Sequence, residues 1–439
     1  WGAGMSNKLF YGDNLDVLRS KIPSESVDLC YIDPPFNSKR NYFQIYNNQG
    51  GEDRALAQAF VDTWEWGDEA IEGLEWITDI TQLQNGRVTE QTVELIKGLE
   101  RVLRRGSLLA YLIHMTLRII EIHRVLKPSG SFYLHCDPTA SHYLKLIMDA
   151  VFCGQGGDFQ NEIVWCYRRY TAVSSRFQRL HDIILFYSKT AKPTFNEVRI
   201  PYGEQSGKKD SHYKQDEEGR WYRWQKRKNA EPYKIYLSDG VRLGDWWDIP
   251  PINASAKERL GYPTQKPEAL LERIIQASSN EDDVVLDAYC GCGTTVAVAQ
   301  RLKRKWIGID ITYQSIALIL KRLQDQYPND WPTIEASIML DGVPRDIASA
   351  TALANRKDDR TRKEFEKWAI LTYSNNQARI NEKKGADGGI DGIAFFLLDR
   401  DTNGKAIFQV KSGGAKRETL AILNSDRLRE KAEFGILIT

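Results

Sequence analysis

Residues 284–295 read Val-Val-Leu-Asp-Ala-Tyr-Cys-Gly-Cys-Gly-Thr-Thr, and this stretch decides the fold. The apolar run that ends in an acidic residue predicts a buried strand, and the glycines predict a tight loop ahead of a helix. Gly291 and Gly293 would let the backbone approach a ligand closely, and the N-terminus of the helix favours a carboxylate group. Similar loops also occur where a strand simply packs against a helix. This loop therefore predicts α/β architecture but does not by itself identify a ligand.

Short apolar runs alternate with helical stretches on either side of this loop, from residue 27 to about residue 323. The alternation is typical of a Rossmann-like, doubly wound α/β sheet. Two further predicted strands end at acidic residues, one at Asp310 and the other at Asp33. Ligands of open parallel sheets bind beyond the carboxyl ends of the strands, so we expect these ends to form one site. Asp310 stands about 20 residues beyond the loop, where an acid can hold the ribose hydroxyls of an adenosine cofactor or merely cap the next helix.

Composition excludes several classes of protein. The chain has 439 residues, 42% hydrophobic and 27% charged, as expected of a globular protein with two or three domains. No run of about 18 apolar residues occurs, so the sequence predicts no membrane contact. The six cysteines are scattered, which argues against a disulfide-rich secreted domain and a zinc site and favours the cytoplasm. Residues 1–4 precede Met5 and are interpreted as a tag remnant.

Local charge indicates nucleic acid, although the net charge of +1 does not. Residues 165–179 carry four arginines and no acidic residue. Residues 221–228 interleave aromatic side chains with four more cations. Cations that meet phosphates, beside planar groups that stack on bases, suit a nucleic-acid surface. A solvated charged face with half-buried aromatic residues is the alternative.

Residues 33–36 read Asp-Pro-Pro-Phe and follow a predicted strand. The exocyclic amine of a nucleobase is a poor nucleophile because its lone pair is delocalised into the ring. Asp33 and a backbone carbonyl of the loop would accept the two N–H groups and draw the lone pair out of conjugation. Pro34 and Pro35 would stiffen the loop, and Phe36 would stack on a base flipped out of the duplex. A purely structural Pro-Pro turn remains the alternative on these residues alone.

The order of these segments resembles the β class of DNA amino-methyltransferases, in which the catalytic loop precedes the cofactor loop. Beyond the two loops, the resemblance rests on residues 12–15, 125–130, 181–187 and 262–267, which read Gly-Asp-Asn-Leu, Val-Leu-Lys-Pro-Ser-Gly, His-Asp-Ile-Ile-Leu-Phe-Tyr and Tyr-Pro-Thr-Gln-Lys-Pro. It implies a methyltransferase domain over residues 5–335 that acts on double-stranded DNA. Within this domain, residues 52–106 would be a helical insertion and residues 190–255 the target-recognition region.

The resemblance also implies S-adenosylmethionine as the cofactor. Contacts to it would come from Asp13, Thr264, Gln265, Lys266, Pro267, Asp287, Tyr289, Gly291, Gly293, Thr294, Thr295 and Asp310. The loop of residues 33–36 would be catalytic. In this family Asp at the first catalytic position accompanies methylation of adenine N6, and Ser tends to mark cytosine N4, so Asp33 predicts adenine. A homodimer and a nucleoid-associated location in a prokaryote or phage are further expectations from the family.

Methylation of cytosine C5 is excluded by a different observation. That reaction needs a Cys nucleophile, usually after Pro, and the sequence contains no Pro-Cys pair. The predicted acceptor is therefore an exocyclic amine.

Residues 385–411 carry a second set of motifs. Asn403-Gly404 stands between apolar runs, which predicts a β-hairpin. Such a hairpin would bring Asp391 level with Gln409 and Lys411, and the latter two share a face because they are two residues apart. Asp391 and Gln409 would bind Mg²⁺, and Lys411 would orient or activate the attacking water.

This set resembles the Asp…Gln-x-Lys site of Mrr-type restriction endonucleases, with Glu366 on the preceding helix as a further potential ligand. It implies a linker over residues 336–361 and then a C-terminal α/β domain of the PD-(D/E)xK nuclease type over residues 362–439. Because the sequence stops at Thr439 in an apolar strand pattern, we expect this fold to be truncated. The alternative is a polar hairpin in a recognition or dimerisation domain.

Together the motifs predict a single-chain restriction–modification protein that methylates adenine N6 and cleaves DNA with Mg²⁺. Two alternatives remain open. One is a methyltransferase, for adenine N6 or cytosine N4, whose tail is a non-catalytic DNA-binding or assembly module. The other is a non-enzymatic DNA-binding regulator on a decayed methyltransferase fold, against which the intact cofactor loop and Asp33 argue.

Overall fold

The computed structural model of the chain describes the greater part of its residues. They are residues 7–35, 40–46, 55–62, 64–167, 175, 177–200, 213–227, 230–253, 255–262, 264–343, 359–374, 378–380, 389–397, 403–411 and 416–439. Among the helices within these ranges, none is long and apolar enough to cross a membrane.

The strands are numbered in chain order. They are β1 (Asn7–Tyr11), β2 (Val27–Ile32), β3 (Arg40–Tyr46), β4 (Ala55–Asp62), β5 (Leu126–Cys136), β6 (Asp158–Cys166), β7 (His181–Ser188), β8 (Arg199–Ile200), β9 (Lys214–Gln215), β10 (Trp221–Arg227), β11 (Ala230–Tyr236), β12 (Val241–Arg242), β13 (Trp246–Asp248), β14 (Val284–Asp287), β15 (Lys305–Asp310), β16 (Ile338–Asp341), β17 (Arg379–Ile380), β18 (Gly392–Leu397), β19 (Asn403–Val410) and β20 (Phe434–Ile438).

The helices are numbered in the same way. They are α1 (Asn14–Lys21), α2 (Asp68–Thr78), α3 (Ile80–Gln84), α4 (Glu90–Leu103), α5 (Ser107–Val125), α6 (Ser141–Phe152), α7 (Glu268–Ser278), α8 (Thr294–Arg301), α9 (Tyr313–Gln326), α10 (Trp331–Ser337), α11 (Asp359–Tyr373) and α12 (Arg417–Arg429). Short 3₁₀ turns lie at Cys153–Gln155 and Leu237–Asp239.

A nine-stranded sheet forms the centre of the molecule, in the order β13-β6-β7-β5-β2-β14-β15-β1-β16. Helices α1, α2, α4, α5 and α6 bury their apolar residues against one face, and α7 to α10 bury theirs against the other. Since both faces are covered, central strands such as β2 are largely apolar and fully buried. The predicted α/β architecture with helices on both faces is confirmed.

The one charged residue of β2 shows how this burial is tolerated. Asp28 is buried, accepts a hydrogen bond from the backbone N–H of Val284 at 2.9 Å, and pairs with Lys127 Nζ at 2.7 Å. Val284 donates to Oδ2, and Lys127 Nζ donates to both oxygens, at 2.9 Å to Oδ1 and 2.7 Å to Oδ2, which offsets the cost of removing the charge from water. The pair lies toward the amino end of β2, away from the strand ends that carry the predicted site.

The sheet is mixed, whereas the sequence predicted an open parallel one. Strand β7 lies between β5 and β6 and runs antiparallel to both, while the other neighbours are parallel. A buried strand reads as a continuous apolar run whatever its direction, so the run at residues 183–187 carried no information on this point. As a consequence, the amino end of β7 lies at the same edge as the carboxyl ends of the parallel strands.

Two predicted segments contain strands that the sequence pattern did not predict. Residues 338–341 of the predicted linker form β16, which pairs with β1 at the edge of the central sheet. The predicted helical insertion of residues 52–106 includes strand β4, which pairs with β3 in a separate antiparallel ribbon before the helices α2 to α4 begin. Strand β16 has only four residues, and β4 belongs to a two-stranded ribbon outside the central sheet, so neither adds to the alternation of strands and helices on which the prediction depended.

A second sheet lies toward the C-terminus, in the order β17-β18-β19-β20. Strands β17, β18 and β19 are antiparallel neighbours, and β20 returns parallel to β19 after helix α12. The predicted hairpin is confirmed, but its turn is not at Asn403-Gly404, since these residues pair with Leu397 and Phe396. The pairing of Ile393 with Ile407 gives the register, and the connecting residues 398–402 lie outside the described residues.

Candidate active site

Four carboxylates follow the carboxyl ends of four neighbouring strands. In sheet order they are Asp33 after β2, Asp287 at the end of β14, Asp310 at the end of β15 and Asp13 after β1. Because these strands are parallel, the four side chains lie along one edge of the sheet. The structure therefore brings together the predicted catalytic loop and the predicted cofactor loop.

The loop after β14 is held by the acid at the end of the next strand. Asp310 accepts hydrogen bonds from the backbone N–H of Gly291 at 2.9 Å and of Thr312 at 2.9 Å. Gly291 has φ +48°, and a side chain there would meet the Tyr262 ring at 3.3 Å. Burial raises the pKa of Asp310, and its hydrogen bonds oppose that rise. The glycine is thus required by both the turn and the close approach of an aromatic ring.

Asp287 is buried at the start of the same loop. Its carboxylate accepts from the backbone N–H of Tyr289 at 3.0 Å and from the Thr295 hydroxyl at 2.5 Å. Burial raises the pKa of Asp287 to about 7, and the neighbouring Asp33 and Asp310 carboxylates add to the rise. The Asp287 carboxyl group therefore gains or loses its proton near neutral pH.

Asp13 lies at the mouth of the loop and caps helix α1 by accepting from the backbone N–H of Leu15 at 2.8 Å. Arg118 on α5, a residue that sequence reasoning missed, donates to Asp13 at 3.0 Å and to Asn14 Oδ1 at 2.6 Å. Asn14 in turn donates to the carbonyl of Ala288 at 2.8 Å. These bonds fix the first strand end against the loop. The available signal was an arginine in the middle of the mainly apolar helix α5.

Another missed group lies beside Tyr289. His114 Nε2 and the Tyr289 hydroxyl are 2.9 Å apart, and the Trp64 ring lies 4.0 Å from the imidazole, centroid to centroid. Burial, and then the charge of Arg118, hold the pKa of His114 well below its ordinary value, so the imidazole is neutral. Trp64 Nε1 is buried and has no hydrogen-bond partner among the described residues.

Asp33 is the acid nearest to the end of β2. Its Oδ2 accepts a hydrogen bond from Lys266 Nζ, whereas its Oδ1 is buried without a partner among the described residues. Pro34 is buried and Pro35 half-buried after it. Phe36, which the sequence assigned to base stacking, lies outside the described residues. The loop therefore presents one unoccupied carboxylate oxygen.

A buried chain of hydrogen bonds runs across the strands next to Asp33. The Tyr31 hydroxyl lies 3.0 Å from His135 Nδ1, His135 Nε2 lies 3.2 Å from Asp182 Oδ2, and the Tyr167 hydroxyl donates to Asp182 Oδ1 at 3.1 Å. Because a carboxylate only accepts, Nε2 carries the proton and Nδ1 accepts from Tyr31. Burial alone would raise the pKa of Asp182, but the His135 contact and the charge of Lys266 lower it.

The predicted cofactor segment, residues 264–267, leads into helix α7, which packs on the face of the central sheet opposite to α1 and α5. Both polar atoms of the Gln265 side chain bond the backbone, with Nε2 donating to the Glu258 carbonyl at 2.6 Å and Oε1 accepting from Leu260 N–H at 2.9 Å. Pro267 begins helix α7. The Thr294 hydroxyl donates to the Lys266 carbonyl at 3.4 Å, which joins this segment to the start of α8.

The C-terminal motif residues also come together. Asp391 precedes β18 and bonds the residues on either side of Gln409, since its N–H donates to the Phe408 carbonyl at 2.8 Å and its Oδ2 accepts from the Val410 N–H at 2.8 Å. Burial raises the pKa of Asp391, and the charge of Lys411 opposes it. Gln409 Oε1 is buried without a hydrogen-bond partner among the described residues. Within those residues no group of three or more His, Cys, Asp or Glu side chains is placed to hold a metal ion.

The part of the chain that contains the central sheet is similar in sequence to known proteins. The profile of a family described as DNA methylase, of the N6/N4 type, matches residues 27–321. The DNA adenine methyltransferase YhdJ of Escherichia coli (strain K12) is 29% identical over 317 residues, which are 72% of this chain and 82% of that protein. The Type II methyltransferase M.BglII of Bacillus subtilis is 25% identical over 338 residues, 75% of this chain and 72% of that protein. Among solved structures, the cytosine-N4-specific PvuII DNA methyltransferase aligns with a TM-score of 0.41 at 16% identity, covering 77% of this chain and 95% of that one.

Proposed function

This chain belongs to the N6/N4 family of DNA methylases, and from that membership we propose that it methylates N6 of adenine in double-stranded DNA, with S-adenosylmethionine as the donor. The observation that carries the proposal is the unoccupied Oδ1 of Asp33, on the strand next to the one that leads into the loop of residues 287–295. The similarity to an enzyme named as a DNA adenine methyltransferase supports adenine as the base.

The residues around the loop fit this cofactor. Its sulfonium and ammonium groups are cations, and Asp13, Asp287 and Asp310 place three carboxylates around the loop. The N-terminus of α8 favours its carboxylate, and the unpartnered Trp64 Nε1 offers a buried donor nearby. Asp310 would hold the ribose hydroxyls. When bound, the cofactor supplies an electrophilic methyl group on its sulfur.

The residues at the end of β2 would prepare the acceptor. Asp33 Oδ1 and a backbone carbonyl of the loop each accept one N–H of the amine, which withdraws the nitrogen lone pair from the ring and directs it at the methyl carbon. The bound cofactor would supply its methyl group directly to this nitrogen, so no covalent bond to the protein would be needed. The nitrogen then loses one proton, which Asp33 Oδ1 holds until it exchanges with water.

Transfer of label from S-adenosylmethionine to mixed-sequence DNA tests the proposal. Digestion to nucleosides should place the label in N6-methyladenine, and sequencing of the methylated positions then gives the recognition site and its strand symmetry. Label in N4-methylcytosine would overturn the base assignment. Absence of any transfer to DNA would overturn the proposed reaction. Sedimentation of the active protein with and without its site tests the homodimer.

The affinity for S-adenosylmethionine should increase as the pH rises through about 7, the value to which burial raises the pKa of Asp287. Below it, Asp287 is largely protonated, whereas a cationic ligand favours its carboxylate, so binding must release a proton. The Kd should therefore fall by up to about tenfold per pH unit below this pKa and level off above it. Isothermal titration calorimetry in a pH series measures the Kd. Asp287→Asn should flatten the series, and a flat wild-type series would contradict the prediction.

The same raised pKa has a consequence for the protein without cofactor. The proton is held more tightly in the folded state than in the unfolded one, where the pKa is about 4. Stability from this group is therefore present below pH ~4 and is lost as the pH rises to about 7. Cofactor binding is then expected to stabilise the fold most at and above neutral pH.

We propose that residues 190–255 contact DNA. In the ribbon of β10 and β11, Trp221 is 42% exposed and Trp224 is 54% exposed. Lys234 Nζ lies 4.3 Å from the centroid of the Tyr222 ring, so cation and aromatic side chains share one surface. Stacking groups beside cations suit bases and phosphates. Much of the other basic run, residues 165–179, lies outside the described residues.

A second proposal concerns the sheet of β17 to β20, which we infer to be a Mg²⁺-dependent DNA endonuclease unit. It is supported by the adjacency of Asp391 and Gln409 and by the buried, unpartnered Gln409 Oε1, since hard divalent cations prefer oxygen ligands. Asp391 and Gln409 would hold the ion, which would supply a Lewis acid, and Lys411 would orient the attacking water. A non-catalytic DNA-binding or assembly module is the rival, and it predicts no cleavage of unmodified plasmid under any cofactor condition.

A further inference from the structure

The sequence predicts that Lys266 contacts the cofactor, but in the structure its ammonium group lies against Asp33, the residue proposed to bind the base. Lys266 is only 8% exposed. Its Nζ donates to Asp33 Oδ2, across 233 positions of sequence, and to the Thr264 carbonyl at 3.4 Å. A buried ammonium group needs a hydrogen-bond partner. Here a partner is Asp33, the carboxylate that we propose binds the amine of the base.

The backbone that carries Lys266 is anchored on both sides. Thr264 has φ +61°, an uncommon conformation for a residue with a side chain. Gln265 bonds the backbone of residues 258 and 260, and the Lys266 carbonyl accepts from Thr294. Since Pro267 starts helix α7, the chain is fixed directly after Lys266 as well. The ammonium is therefore held in place by the fold and does not depend on a bound ligand.

The charge of Lys266 also acts on a second carboxylate, that of Asp182. Asp182 differs from Asp33 in its hydrogen bonds. Both oxygens of Asp182 have partners, namely His135 and Tyr167. The charge of Lys266 lowers the pKa of Asp182. Lys266 Nζ donates to Asp33 Oδ2, and Asp33 Oδ1 is buried without a partner among the described residues.

We propose that Lys266 is a positioning residue for the methyl acceptor, acting through Asp33. By holding Oδ2 it fixes the plane of the carboxylate and leaves Oδ1 as the one acceptor for the base amine. Without it the carboxylate can rotate, and both oxygens compete for the amine and for water. This inference rests on the proposed methyl transfer, and it assigns Lys266 to the chemical step instead of to cofactor binding.

Lys266→Met and Lys266→Gln should lower the single-turnover rate of methyl transfer by about 100-fold, the effect of losing one preorganised contact. The Kd for S-adenosylmethionine, from calorimetry without DNA, should change by less than about threefold. Lys266→Arg, which restores a cationic donor, should recover the rate to within about tenfold of the wild type. An increase in Kd with an unchanged rate at saturating cofactor would overturn the proposal, and so would unchanged values of both.

A double-mutant cycle tests whether Lys266 acts through Asp33. In an Asp33→Asn background, Lys266→Met should lower the residual rate by less than about threefold, because the group that it positions has already been changed. This double variant leaves no buried unpaired charge and should fold even if Lys266→Met alone does not. A further 100-fold loss, about the full effect of the single substitution, would show an independent role and overturn the proposal.

Lys127→Met is the matched control. Lys127 also pairs with an aspartate of the β2 region, Asp28 at 2.7 Å, but at the other end of the strand. It should lower the melting temperature and leave the single-turnover rate of the folded protein unchanged. Equal rate losses in Lys127→Met and Lys266→Met would assign both to stability alone and would overturn the positioning role. A wild-type protein that transfers no methyl group to DNA would instead overturn the proposed function, and this inference with it.

Discussion

Asp33→Ala is expected to lower the single-turnover rate of methyl transfer to adenine N6 by about 1000-fold. The substitution removes the carboxylate that would accept an N–H of the amine, and it leaves the Lys266 ammonium buried without its ion-pair partner. Loss of one partner of a buried pair typically costs about 3–5 kcal/mol of stability, so the free energy of unfolding should fall as well. Single-turnover assays with labelled cofactor, corrected for the folded fraction, measure the effect.

Asp33→Asn separates the two consequences of that change. The carboxamide keeps an oxygen that can accept an N–H of the base but loses the negative charge that pairs with Lys266. We expect it to recover part of the rate that Asp33→Ala loses. A rate for Asp33→Ala within about tenfold of the wild type would rule out Asp33 as the acceptor of the amine.

Lys411→Ala should abolish Mg²⁺-dependent cleavage of unmodified plasmid, with a loss of about 1000-fold or more, because no other cation is assigned to orient the attacking water. Methyl transfer should be unchanged, since Asp391 and Gln409 lie in the sheet of β17 to β20 and Asp33 lies in the central sheet. Gel assays of supercoiled, nicked and linear DNA, with and without S-adenosylmethionine, measure the cleavage.

Lys405→Ala is the matched control for that experiment. Lys405 lies on the same strand, but its Nζ pairs with Glu430 at 2.7 Å, and the variant should retain cleavage. Cleavage that survives Lys411→Ala would refute the assigned nuclease site. A wild-type protein that never cleaves would favour the non-catalytic module.

The proposed catalytic and cofactor loops could be predicted from sequence because their signals are local. The whole pattern, a buried strand that ends in an acidic residue and is followed by glycines or prolines, lies within about ten consecutive residues. Asp33, Asp287 and Asp310 are therefore recognisable one by one, and the rule that ligands bind beyond parallel strand ends predicts that they lie together. The same locality revealed the hairpin that joins Asp391 to Gln409, although not its turn, which depends on register between two strands.

The partners of these residues were decided by the tertiary structure alone. Lys266 meets Asp33 across 233 positions, and Arg118 meets Asp13 across 105, at distances that depend on strand order and on which helix covers which face. No sequence period encodes such pairs. The antiparallel direction of β7, which carries Asp182 to the active edge, is equally invisible in an apolar run.

The sequence by itself thus determined the chemistry that the strand ends offer and the family to which the order of segments belongs. Only the folded chain decided which oxygen of Asp33 is open to a base and which is held by a lysine. The physical reason is burial. A charge removed from water must find its partner in space, and that partner is supplied by whichever segment the sheet order brings alongside.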